Sequence, residues 1–245
     1  MKRFLVFATL TGLLSAPVLT QQKTSTKEPT PAVHEKDKAK KPKTLALGHQ
    51  VDPTIVLADI DGNECATANF RGRITVVNFW ATRCPWMKGW DPTLSEIQRN
   101  YSKKGVVFLM IASNEGNGEI RDNKLEKGQK PYQEIRKHLK ERELPYRVLI
   151  DPGSEVARRF GARTTPDIFV FDEDTRLVYR GRIDDDERRK KGDEATHYLR
   201  DTLDAMLTGE ELDPTGTKPF GCSIKWPKKA VKRKDRRART DGEGA

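Results

Sequence analysis

The run Ile74-Thr75-Val76-Val77-Asn78-Phe79-Trp80, followed at once by a turn carrying Cys84-Pro85, constrains the fold of this chain more than any other segment. Apart from one asparagine it is β-branched or aromatic, the composition of a strand buried on both faces of a parallel sheet. From Pro85 to about Tyr101 the pattern reads as a helix, with Pro92 expected to interrupt and kink it. A strand feeding a helix through so short a turn sets Cys84 at the helix N-terminus. There, unpaired backbone N–H groups and the positive end of the helix dipole favour its thiolate over its thiol.

The neighbouring segments read as companions of that unit. Residues Ile55–Thr67 form two short strands around the Asp61-Gly62 turn, with Cys65 on the second strand as a small buried residue. Val106–Ala112 is the next buried strand and opens into the polar loop Ser113–Gly118, the kind of strand end where open α/β sheets place their sites. Pro131–Arg142 has helical spacing, with Tyr132, Ile135 and Leu139 on one face, and completes a right-handed βαβ crossover. A strand over Tyr146–Asp151, a helix over Glu155–Phe160 stopped by Gly161, strands over Thr165–Asp172 and Leu177–Ile183, and a helix from Thr196 to Leu207 follow.

The ends differ in character from this middle. With 245 residues, 33% of them charged, and a mean hydropathy of −0.76, the chain has room for one domain and long polar ends. Met1-Lys2-Arg3 and the apolar run to Leu14 read as a secretory signal over residues 1–20, too short for a comfortable membrane span. Export to the periplasm or the extracellular space is therefore expected, with a retained N-terminal membrane anchor as the alternative. Residues 21–46 are too polar to offset ordering entropy and read as a disordered linker, 47–209 as the folded domain, and 210–227 as a cysteine-containing tail. The basic stretch 228–245 has no aromatics. It reads as a solvated, disordered tail able to contact anionic surfaces by charge, without specific nucleic-acid recognition.

Three cysteines, Cys65, Cys84 and Cys222, are too few for a disulfide scaffold and lack paired metal-ligand spacing, so neither a metal nor a cofactor is expected. An odd count permits at most one internal bridge. The histidines His34, His49, His138 and His197 read as surface residues.

The words Asn78-Phe79-Trp80-Ala81-Thr82-Arg83-Cys84-Pro85, with Thr164-Thr165-Pro166-Asp167 at the expected distance behind them, resemble the active-site segment and the Thr-Pro loop of the thioredoxin-like redoxins, the AhpC/TSA-type domain. The resemblance implies an α/β thioredoxin fold, a central mixed sheet flanked by helices, with an N-terminal β-hairpin. It also implies a cis Thr165–Pro166 bond lying against Cys84, and a substrate groove walled by Trp80, Pro85, Trp86, Thr165 and Pro166.

This chain departs from that pattern in three places. Met87 holds the place of the second cysteine of a C-x-x-C pair, so a mixed disulfide on Cys84 needs an external thiol or a distant cysteine for its resolution. Asn78 holds the place of a buried carboxylate, and Glu115 is the expected substitute as proton acceptor. Val77 and Ala81 stand where standard peroxiredoxins carry proline and serine or threonine.

The tail Thr217–Trp226 resembles the Gly-Cys-x-Ile-Lys tail of some redoxin-domain proteins that also carry a Cys-Pro site. Docking through Phe220, Ile224 and Trp226 would make Cys222 the resolving thiol; an exposed tail with an incidental cysteine is the alternative. The leading functional expectation is an exported thiol–disulfide oxidoreductase acting on protein thiols or disulfides, with an external thiol as reductant. Alternatives are a thiol peroxidase, in which peroxide converts Cys84 to a sulfenic acid that condenses with Cys222, and a non-catalytic binding module.

Overall fold

The computed structural model describes residues 44–121, 125, 127–213 and 215–228. The signal expected over 1–20, the linker up to residue 43 and the basic tail beyond 228 lie outside the described residues. Leu45, within the expected linker, packs against the core, and its N–H donates to Arg159 O at 3.0 Å.

In chain order the elements are β1 (Val56–Ala58), β2 (Glu64–Ala66), β3 (Thr75–Trp80), α1 (Pro85–Ser102), β4 (Val107–Ala112), α2 (Gln133–Glu141) and β5 (Val148–Ile150). There follow α3 (Glu155–Phe160), β6 (Thr164–Thr165), β7 (Ile168–Phe171), β8 (Leu177–Gly181), α4 (Tyr198–Thr208) and β9 (Cys222–Ser223). β1 and β2 form the hairpin, Leu57 opposite Cys65. The Asp59 carboxylate makes its turn by accepting from the N–H groups of Asp61 at 3.0 Å and Asn63 at 2.9 Å.

The main sheet has the order β5-β4-β3-β7-β8, with β3, β4 and β5 parallel and β7 and β8 antiparallel. Every residue of the central strand β3 is buried. Its side chains alternate as a strand period of two requires: Val76 and Trp80 join one apolar cluster, Val77 and Phe79 the other. The first face is covered by α1, α2 and α4 through Leu94, Ile97, Ile135, Leu199 and Leu203. The second is covered by α3 and the hairpin, with Ile224 of the tail in the same cluster as Phe160 and Phe169. This is the thioredoxin fold.

Two expected elements differ in the structure. The single strand expected over 165–172 is divided into β6 and β7, because Pro166 has no N–H for a ladder; the Thr165–Pro166 bond is cis. The interruption expected at Pro92 does not occur, and α1 continues through it. A proline there cannot donate to Lys88 O, and the Arg142 guanidinium donates to that carbonyl instead, at 2.7 Å.

Candidate active site

Cys84 is the N-cap of α1, with Pro85 in the first turn, where its missing N–H costs nothing. The residue is 2% exposed, and its Sγ accepts from the Met87 N–H at 3.4 Å. Sγ also lies 3.0 Å from the Thr165 carbonyl oxygen, which sets the sulfur directly against the cis-proline loop. That loop is held from behind. The fully buried Asp167 carboxylate pairs with Arg180 Nη2 at 3.0 Å, and the Asp167 carbonyl accepts from Phe79 N–H at 3.1 Å. Burial nevertheless pushes the Asp167 carboxyl above its ordinary range, against the pull of Arg180.

Cys84 is bonded to Cys222, with a Cα–Cα separation of 5.8 Å. Cys65 is the buried free cysteine among the described residues. The segment around Cys222 lies across the loop as β9, paired antiparallel with β6 so that Cys222 faces Thr165 and Ser223 faces Thr164. Both flanks of Cys222 are fastened. Upstream, Thr217 Oγ1 accepts from Arg182 N at 2.9 Å and meets the Tyr179 hydroxyl at 3.1 Å, and the Phe220 ring stands edge-on to Trp86 at 4.8 Å between centroids. Downstream, Ile224 is 2% exposed, Lys225 N donates to Asn114 Oδ1 at 2.8 Å, and Gly116 N donates to Lys225 O at 2.6 Å. Two glycines permit this closeness. A Cβ on Gly221 would collide with the Thr165 carbonyl, and one on Gly116 with the backbone of Trp226.

The structure redistributes several expected roles. Pro85, exposed, and Trp86, half-buried, reach the rim of the site, whereas Trp80 does not wall a groove. It belongs to a strand buried on both faces and is fully enclosed, its Nε1–H donating to the buried Asp91 carboxylate at 3.3 Å. Asp91 also pairs with His138 Nε2 at 2.9 Å and Arg142 Nε at 3.0 Å. His138, expected on the surface, is therefore an interior residue that stacks edge-on against Trp80. Asn78 sits in a sulfur-lined niche, its Nδ2 3.6 Å from Met87 Sδ and 3.5 Å from Met110 Sδ.

Glu115 is turned away from Cys84, toward the Gly153 N–H and Arg121. The buried glutamate of the site loop is Glu119. Its carboxyl accepts from the Thr82 backbone N–H, from Thr82 Oγ1 at 2.8 Å and from Asn114 Nδ2 at 3.0 Å. Burial holds the Glu119 carboxyl above its ordinary range, outweighing those donors, with the nearby Glu134 adding to the rise. Thr82 Oγ1 lies 3.0 Å from Glu134 as well, and Glu134 is gripped by Arg83, which keeps its own carboxyl low. One hydroxyl thus stands between buried Glu119 and a half-exposed carboxylate, with a single hydrogen to give to one of them at a time. Sequence reasoning missed Glu119; the signal for it was Ile120, an isolated apolar residue that draws this part of the loop inward and is 7% exposed. Among the described residues no group of three or more His, Cys, Asp or Glu side chains converges as a metal-ligand set would.

A cysteine capping a helix against a cis-proline loop, on a five-stranded mixed sheet, defines the thioredoxin-like class. Within that class the chain belongs to the Redoxin family, whose model matches residues 46–196. It is similar to ResA of Bacillus thuringiensis, a thiol-disulfide oxidoreductase, with 23% identity over 138 residues, 56% of this chain and 70% of that protein. Among solved structures, an uncharacterized conserved protein from Geobacillus kaustophilus is 31% identical at a TM-score of 0.64, over 77% of this chain and 95% of that one. A hypothetical protein from Sinorhizobium meliloti is 29% identical at a TM-score of 0.62, over 75% and 96%.

Proposed function

We propose that the chain is an exported thiol–disulfide oxidoreductase whose two working cysteines come from separate segments, Cys84 as nucleophile and Cys222 as resolving thiol. The observation that carries this reading is the Cys84–Cys222 bond beside the cis-proline loop, in a tail held on both sides of its cysteine. The Cys84 thiolate attacks a sulfur of the partner's disulfide, forming a mixed disulfide and expelling one partner thiolate. Cys222 then attacks the Cys84 sulfur and expels the second. The partner gains two electrons, the protein keeps the 84–222 disulfide, and an external thiol returns it to the dithiol. The N–H of Met87 stabilises negative charge on Cys84 during both transfers. Glu119, tied to the turn before Cys84 through the N–H and hydroxyl of Thr82, takes the place assigned to Glu115 as proton acceptor.

A protein-disulfide reduction assay with a dithiol reductant, run beside a peroxide-consumption assay, tests this. The parent should reduce protein disulfides; Cys84→Ser should abolish turnover, and Cys222→Ser should accumulate a mixed disulfide on Cys84. Peroxide consumption without disulfide reduction would overturn the reading in favour of a peroxidase, and inertness in both assays in favour of a binding module. Export rests on the charged start and apolar run before residue 15. Processing of that segment and recovery of the protein outside the cytoplasm are the outcomes expected on fractionation.

A further inference from the structure

We propose that the tail is a resident copy of the partner's own segment, and that the groove beneath it accepts, in the reduced protein, an extended chain of the pattern aromatic–Gly–Cys–any–aliphatic. The inference rests on the reading of Cys84 as a nucleophile and adds to it the class of partner. Three features of the seated tail define the pattern. At the cysteine and the residue after it, contact is through backbone: Cys222 and Ser223 pair with Thr165 and Thr164, and Ile224 N–H donates to Arg163 O at 2.9 Å. Such a ladder is available to any extended segment.

Side-chain selection falls at three other positions. Two residues before the cysteine, Phe220 rests edge-on against Trp86 at 4.8 Å, with the Arg182 guanidinium 5.7 Å from its centroid. One residue before, the Thr165 carbonyl leaves no room for a Cβ at Gly221. Two residues after, Ile224 is 2% exposed within the cluster that holds Phe160 and Ala162. The residue after the cysteine, Ser223, is exposed and borders a cleft of about 410 Å³ shared with Arg163 and Trp226, so this place tolerates variety. The ladder between β6 and β9 is only 2 residues long on each strand, and the disulfide is the one covalent link across it. Once that bond is reduced, tail and partner compete for one groove. The tail's return then resolves the mixed disulfide and ejects the product in the same motion.

The test uses the full chain as Cys222→Ser and a peptide Lys-Pro-Phe-Gly-Cys-Ser-Ile-Lys-Trp whose cysteine is capped as a thionitrobenzoate disulfide. Attack by the Cys84 thiolate forms the protein–peptide disulfide and expels one coloured thionitrobenzoate; Cys84→Ser/Cys222→Ser is the blank for Cys65. The patterned peptide should react at least tenfold faster than a scrambled one. Valine for its glycine should remove that advantage, and alanine for its phenylalanine or isoleucine should cost at least threefold. Gly221→Val/Cys222→Ser, whose tail no longer fits the groove, should react faster with the patterned peptide than Cys222→Ser does. Equal rates for all peptides, with free dithionitrobenzoate still reacting at Cys84, would overturn the groove while sparing the nucleophile. Failure of Cys84 to react even with free dithionitrobenzoate would remove the nucleophile and the groove with it.

Discussion

Thr82, two residues ahead of Cys84 in the chain's turn into α1, and Asn114 hold the buried Glu119 carboxyl. A carboxyl held above its ordinary value keeps its proton in the folded protein at a pH where the unfolded chain has already lost it. The stability contributed by protonated Glu119 is therefore complete below the unfolded value of about 4.3 and is lost as pH rises through the higher folded value. Glu119→Gln carries no such proton. The thermal midpoint of the parent minus that of Glu119→Gln should fall as pH is raised from about 4, then level off above the folded value. Asp151 and Asp167, also raised by burial, titrate in both proteins and cancel in the difference. A difference that does not change with pH would show that Glu119 does not titrate in that window.

The helix α1 is where the missing second cysteine has its structural consequence. Met87 is fully buried against Asn78, so its position is core as well as helix start. Met87→Cys should form an 84–87 bridge in competition with 84–222, detectable by peptide mapping. It should also cost about 1–3 kcal/mol in chemical denaturation, through the volume left behind. A variant with no 84–87 bridge would mean that the α1 start cannot bring the two sulfurs together. The strand–turn–helix from Thr75 to Ser102 and the hairpin around Gly62 were legible because local signals specify them, a β-branched run and an Asp-Gly turn, whereas the Thr-Pro loop was legible through the family resemblance. Trp80 was misplaced because a strand buried on both faces offers no residue to a groove. Glu119 was missed because the polar loop containing it has no periodicity, and His138 because its partner Asp91 lies on another helix. The β6–β9 pairing is too short to leave any pattern in the sequence.

Across the whole molecule, the tail completes the second apolar face as well as the site. Ile224→Ala should cost about 2–4 kcal/mol and slow reoxidation of the 84–222 pair after a reductant is removed, measured by thiol titration against time. Unchanged reoxidation would show that the upstream fastening at Thr217 and Phe220 suffices to present Cys222. The bond it presents also divides the chain mechanically. Cys84 and Cys222 are separated by 138 positions, so a pull on residues outside them, the central strand β3 included, cannot extend the chain between them while the bond stands. At about 3.5 Å per extended residue, roughly 480 Å of contour is withheld from extension. While the bond is closed that length stays locked between two neighbouring sulfurs, and reduction of a single bond releases it.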